Sequence, residues 1–150
     1  MAFSSVHEMI DLCKESGKPL YEVILESDLA ESGLTRAESE AEMHRLWAVM
    51  QATSDGYCGA DRSMSGFAGG DAAKVSAAAA QGALYADGFF ADVMSEALKT
   101  AECNACMKRI VAAPTAGSCG VLPAVLLPLR RRGLADEAAV HRALYCLLYT

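Results

Sequence analysis

The sequence predicts an all-α protein, and three observations carry that expectation. Apolar residues recur at i, i+3, i+4 and i+7 through most of the 150 residues, and no stretch alternates apolar and polar as a strand would. Helix start and stop signals recur, with Ser or Thr followed three residues later by Glu and glycine after the last periodic position. Two glycine-rich stretches, 53–70 and 114–120, interrupt an otherwise helical pattern. The expected architecture is a multi-helix bundle carrying two glycine-rich loops. No internal repeat is evident.

Composition sets the outer limits. Hydrophobic residues make up 53% and charged residues 21%, enough apolar content for one packed domain. The net charge of −6 argues against a nucleic-acid surface. Arg130, Arg131 and Arg132 form the one basic run, and before Gly133 they read as a solvated helix end whose cations complement the dipole. No signal peptide is visible, and no run of about 18 apolar residues offers a bilayer span. The expectation is a cytoplasmic protein with no membrane partner. Six cysteines there read as thiols or ligands rather than disulfides.

The elements follow in order. Ser5 and Glu8 form a capping box, with Val6, Met9, Ile10 and Cys13 on one face and Gly17 as the stop. Pro19 opens a second helix with Leu20, Ile24 and, if the pattern runs on, Leu29 inward, closed by Gly33. Thr35 and Glu38 are a second capping box, starting a longer helix with Met43, Trp47 and Met50 inward and Glu42 paired with Arg45. These helices, within 1–52, read as a scaffold. His7 and His44 read as surface residues, since neither has a partner at metal spacing.

The pattern breaks over 53–71, a length of loop that is usually functional or mobile. Asp71 is the expected N-cap of an alanine-rich helix running from Ala72 to about Leu84, buried among other helices. Lys74 stands too far from Gly70 for a P-loop, and no strand precedes it. The α/β setting of a pyridoxal phosphate lysine is missing as well. Asp87-Gly88 reads as a turn. One long helix is then expected from Phe89 to Val111, with an apolar stripe of Phe90, Val93 or Met94, Ala97, Ala101 and Ala105. Cys103 and Cys106 lie on it and read as packing residues.

Within 114–120, Gly117 and Gly120 would let the backbone turn sharply and approach a ligand. Free N–H groups and the hydroxyls of Thr115 and Ser118 would point along the positive end of the next helix, a site for a small carboxylate. A tight helix–helix turn explains the same residues. Cys119 is either the cysteine most prone to a lowered pKa or a small residue that fits the turn. Val121 to Leu129 is nearly all apolar, with Pro123 in the first turn and Pro128 as a kink. Asp136 caps a last helix with Val140, Leu144 and Leu147 inward. Its end is apolar nearly all round and carries no stop signal, so further protein is expected to cover it.

The run 104–126, from Asn104-Ala105-Cys106-Met107 through Pro114-Thr115-Ala116-Gly117-Ser118-Cys119-Gly120 to Pro123-Ala124-Val125-Leu126, resembles the signature of the alpha chain of iron–sulfur-dependent L-serine dehydratase. Asp61-Arg62-Ser63-Met64-Ser65-Gly66-Phe67-Ala68-Gly69-Gly70-Asp71-Ala72-Ala73-Lys74 is similar to that family's second glycine-rich loop. The resemblance covers the whole chain but about the first half of the family's alpha chain. It implies elimination of water from L-serine to give pyruvate and ammonia, with a [4Fe–4S] cluster as Lewis acid and no pyridoxal phosphate.

By the same resemblance Thr115, Gly117 and Ser118 would hold the substrate carboxylate, and Ser65, Gly66, Gly69, Gly70 and Asp71 would form the opposite wall. The chain divides on this view into a scaffold (1–52), a glycine-rich loop (53–71) and pocket-forming helices (72–150), truncated at the C-terminus. The cluster cysteines would lie beyond residue 150, and a beta chain or domain would supply the base. Expected partners are L-serine, the remainder of the alpha chain, that beta chain, and further copies in an oligomer. The 150 residues alone are expected to be inactive. Two other readings fit the same loops: an L-cysteine desulfidase with the same alpha-type domain, and a non-catalytic helical module from a truncated gene.

Overall fold

A computed structural model describes residues 3, 5–84 and 88–148. They form seven α-helices and no strand, as the periodicity predicts. The helices are α1 (Val6–Ser16), α2 (Leu20–Ser32), α3 (Arg36–Asp55), α4 (Asp71–Ala80), α5 (Gly88–Ala105), α6 (Val121–Arg131) and α7 (Glu137–Leu148). None is long and apolar enough to cross a membrane. They fall into two compact units: α1, α2, the first half of α3 and α7 in one, the second half of α3 through α6 in the other.

In the first unit the caps behave as the sequence requires. Ser5 Oγ accepts the N–H of Glu8 at 3.2 Å, and Gly17 leaves α1 with φ 66°. Glu38 N–H donates to Thr35 Oγ1 at 3.3 Å, while Thr35 N–H returns a bond to the Glu38 carboxylate at 2.8 Å. Such reciprocal bonds satisfy donors that a helix start leaves open. Ile24, Leu25, Met43, Val140 and Leu144 are buried, and α7 packs on α2.

Three expectations fail in this unit. Leu20, expected inward on α2, is exposed at the first position of the helix. Of the α1 stripe Met9 is buried, but Val6 and Ile10 are exposed. On α7 Leu147 is exposed and Tyr145 is buried in its place, its phenol 3.1 Å from the Ser39 hydroxyl. A partnered hydroxyl lets an aromatic ring bury where a leucine was expected. His44 is exposed but not alone: its ring meets that of His141, a juxtaposition that spacing along one helix could not show.

The second unit is built around α5, which packs on both α4 and α6. The long helix expected to Val111 ends at Ala105 instead. Lys108 N–H bonds to Cys103 O at 2.9 Å and Met107 N–H to Asn104 O at 3.0 Å, with Met107 at φ 59°. That is a Schellman-type stop with methionine where glycine usually sits, so the sequence carries no punctuation there. The expected apolar stripe is also displaced. Phe90, Met94, Ala101 and Ala105 are exposed, while Ala91, Ser95, Glu96, Thr100, Glu102 and Cys103 are buried.

The arginine run is solvent-exposed, as expected of a helix end, but two of its members are also paired. Arg131 bonds to Glu96 at 2.8 Å and to Asp55 at 2.8 Å, and Arg132 pairs with Asp92 at 2.7 Å. The alanine-rich helix stops at Ala80, and beyond Ala72 much of it is exposed within the chain. The anticipated Asp87-Gly88 turn falls partly outside the described residues.

Candidate functional site

Both glycine-rich segments are held by the last turns of α5. On one side Glu102, 7% exposed, reaches the start of α4. Its carboxylate accepts the N–H groups of Gly70 (2.9 Å), Asp71 (2.7 Å) and Ala72 (3.3 Å), and the phenol of Tyr57 (2.6 Å). A helix N-terminus offers unpaired N–H groups and a positive dipole, and here the chain supplies its own anion. Asp71 is therefore not the cap. Gly70, at φ 88°, holds that position, and the Asp71 side chain turns out to Lys74 at 2.8 Å. Burial, then the hydrogen bond to Glu102, push the Tyr57 phenol up to about 12.

The loop before α4 is pinned at several further points. Arg62 donates to the carbonyls of Gly59 (2.8 Å) and Asp61 (2.7 Å), and Lys108 forms an ion pair with Asp61. Gly69, at φ 129°, has space for no side chain: a Cβ would lie 2.2 Å from Asp61 O. At the tip, Ser63 N–H bonds to Ala68 O at 2.9 Å and the Ser63 and Ser65 hydroxyls are 3.1 Å apart. Gly66 turns there at φ 76°, and Met64 and Phe67 are almost fully exposed.

On another side of α5, Asn104 Nδ2 donates to Ala116 O at 3.4 Å. Ala116–Ser118 is a single 3-10 turn. The Thr115 and Ser118 hydroxyls are 3.0 Å apart, and Thr115 N–H donates to Ser118 Oγ at 3.3 Å. Thr115 and Gly117 are exposed and Ser118 is half-buried. Neither glycine is needed for turning, because neither Gly117 nor Gly120 has positive φ. Gly120 is needed for packing: a Cβ would come within 2.9 Å of Ala97 O on α5. Gly117 faces open space, with Thr115 Oγ1 at 3.9 Å the nearest atom to a built Cβ.

The structure thus joins Thr115 with Ser118, and Gly70 and Asp71 with Glu102. Among the described residues no hydrogen bond links Ser65, Gly66, Gly69, Gly70 or Asp71 to Thr115, Gly117 or Ser118. What they share is the end of α5.

Six residues earlier on that helix is a second buried carboxylate. Glu96, 4% exposed, accepts from Ser54 and from Lys99 (2.7 Å) and Arg131 (2.8 Å). Burial would raise its carboxyl, but hydrogen bonds from Lys99 and Ser54 and the charges of Lys99 and Arg131 hold it below its ordinary 4.5. Glu96, Glu102 and Tyr57 escaped the sequence reading. The available signal was the seven-residue spacing of Ser95 with Glu102 and of Glu96 with Cys103, which marks one helical face as polar and buried.

Cys58, Cys103 and Cys106 line a crevice with Tyr57, Asp61, Glu102 and Lys108, too small for a water molecule. Cys103 donates to Thr53 O at 3.8 Å, and burial pushes its thiol up. Burial also raises the Cys119 thiol, so the expected lowering there is corrected. An iron–sulfur cluster requires thiolates around a space of its own size. The crevice beside these three cysteines has no such space, so as placed they do not fit one.

Comparison with known proteins completes the picture. A family model described as "Serine dehydratase alpha chain" matches residues 15–147. The "L-serine dehydratase, alpha chain" of Peptoniphilus asaccharolyticus is 34% identical over 139 residues, 92% of this chain and 48% of that protein. The "Probable L-serine dehydratase, alpha chain" of Bacillus subtilis (strain 168) is 31% identical over 130 residues, 87% of this chain and 43% of that protein. The chain spans about half the length of the curated relatives it matches. No solved structure matches it significantly.

Proposed function

Starting from the fact that the chain belongs to the serine dehydratase alpha chain family, we propose that it forms part of the substrate pocket of an enzyme that eliminates water from L-serine to give pyruvate and ammonia. The observation that carries this reading is a family match covering about nine-tenths of the chain and including both glycine-rich loops. Thr115 and Ser118 present two neighbouring hydroxyls on an accessible 3-10 turn, which suits the carboxylate of a small zwitterion. Gly117 leaves room for the substrate to approach the backbone.

The loop carrying Ser65, Gly66, Gly69, Gly70 and Asp71 forms the opposite wall. Glu102 takes up its Gly70 and Asp71 amides, so that wall acts through its shape and the Ser65 hydroxyl rather than through those N–H groups. Holding the substrate in one orientation supplies part of the rate enhancement. The [4Fe–4S] cluster of the reaction takes its thiolates from chain other than these residues. The general base comes from a beta chain or domain, and the isolated chain is inactive.

The test uses a complete enzyme containing this chain, the rest of its alpha chain and the beta partner. Ser118→Leu should lower turnover of L-serine by at least about a hundredfold while iron content stays unchanged. Normal turnover would remove Ser118 from the pocket. Serine deamination by the pure isolated chain would refute its inactivity.

A further inference from the structure

Away from both loops, the first unit gathers three groups with metal-binding donors. His44 projects from α3. Glu137 and His141 stand one turn apart on α7, the spacing that brings two side chains over the same patch of a helix. One ring nitrogen from each histidine and one carboxylate oxygen of Glu137 lie within 4.8 Å of one another. The two imidazole centroids are 3.9 Å apart with the rings at 74°.

A second observation concerns His141 alone. Its Nε2 is buried and has no hydrogen-bond partner, with the Glu137 carboxylate standing off at 3.9 Å. Buried polar atoms in folded proteins are nearly always satisfied, so an orphaned ring nitrogen beside two further ligand groups points to a missing bond. Packing alone would be served as well by leucine.

We propose that His44, Glu137 and His141 bind a divalent transition-metal ion, with zinc the best match. Two imidazoles and one carboxylate are a donor set that zinc accepts, and the oxygens are too few for calcium or magnesium. Ligand atoms around zinc sit roughly 3.3 Å apart, given bonds of about 2.0–2.1 Å, so the cluster closes by about an ångström. His44 and Glu137 are exposed and free to make that movement. Three protein ligands leave a fourth position open.

Both histidines also line a cavity of about 250 Å³ together with Tyr21, Arg36, Arg142 and Tyr145. Arg36 is engaged by Glu22, and Arg142 lies over the Tyr21 ring at 5.8 Å, so neither guanidinium points its full charge at the ion. Water or a small anion would complete the coordination.

The experiment is a Co²⁺ titration of the purified 150-residue chain, with helicity followed by circular dichroism. One Co²⁺ per chain is expected, giving the intense visible bands of four- or five-coordinate cobalt and displaced by Zn²⁺. His44→Ala should weaken binding by at least about tenfold with helicity unchanged. Glu137→Gln, at an exposed position, gives the same readout should the first variant disturb folding. His7→Ala should change nothing. The six cysteines are the rival ligands, and they would announce themselves by near-ultraviolet thiolate-to-cobalt charge transfer. No cobalt uptake, or uptake with that thiolate signature and indifferent to both His44→Ala and Glu137→Gln, overturns the proposal.

Discussion

Glu96 and Glu102 are both buried on α5, yet the molecule compensates them by different means. Glu96 is met by two cations and a serine hydroxyl. Glu102 is met by neutral donors only, one phenol and three backbone amides. The first arrangement ties three helices by charge and uses side chains that solvent can still reach. The second fixes a backbone conformation, that of the glycine loop entering α4. A buried acid therefore does not report one role, because its partners decide whether it holds elements together or shapes a loop.

Replacing each by glutamine separates the two most strongly. At Glu102 both oxygens receive N–H or O–H donors, so a glutamine NH₂ must face a donor. Glu102→Gln should cost about 3 kcal/mol in chemical denaturation, since donors are left unsatisfied in a buried place. At Glu96 one partner is the Ser54 hydroxyl, which can rotate and accept from an amide. Lys99 and Arg131 remain partly exposed and can turn to water. Glu96→Gln should cost only about 1–2 kcal/mol. Equal losses would mean that the neutral and ionic arrangements are energetically alike.

The glycine loops extend the contrast. Gly69→Ala places a Cβ against Asp61 O at a φ of 129° and should destabilise by about 2–3 kcal/mol. Gly117→Ala meets open space, so stability should change by no more than about 0.5 kcal/mol. Any effect of Gly117→Ala on a complete enzyme would then belong to substrate binding. A denaturation midpoint for each variant decides the matter.

The two carboxylate sites should also fail at opposite ends of the pH scale. The Glu96 carboxyl is held below its unfolded value of 4.5, so its contribution is present above that pH and is lost as pH falls below it. Tyr57 behaves inversely. Its folded pKa is about 12 against an ordinary 10.0, so its contribution is complete below pH 10 and lost between 10 and 12. That loss should be on the order of 2 kcal/mol. Tyr57→Phe should flatten the alkaline limb of stability and leave the acid limb intact. An unchanged alkaline limb would detach Tyr57 from the Glu102 site.

Much of this fold was legible because its signals are local. The N-cap at Ser5, the capping box at Thr35, glycine stops at Gly17 and Gly33, and the buried Met43, Trp47 and Met50 depend on residues a few positions apart. The loops were legible as loops for the same reason. What stayed hidden is what long-range pairing creates. Nothing near Glu102 in sequence reveals that its partners are Tyr57 and Gly70–Ala72, and nothing near His44 reveals His141. The α5 stripe was misread because a partnered carboxylate can be buried, whereas an apolar count assigns it to the surface.

The end of α5 offers the smallest and sharpest test of how Glu102 is positioned. Met107 is 81% exposed and sits at φ 59°, so its side chain gains little from packing and its backbone is disfavoured for anything but glycine. Just beyond it Lys108 turns back to the Asp61 carboxylate and to Gly56 O at 3.4 Å, closing the helix end onto the same loop that Glu102 holds. Met107→Gly relieves the strain while keeping both backbone bonds of the stop. It should stabilise the chain by up to about 1 kcal/mol, the scale of a left-handed residue's penalty. Met107→Val, branched at Cβ, should do the reverse by a similar amount. If Met107→Gly instead destabilises, the stop is held by the methionine side chain, and the placement of Glu102 depends on contacts outside α5 and its loops.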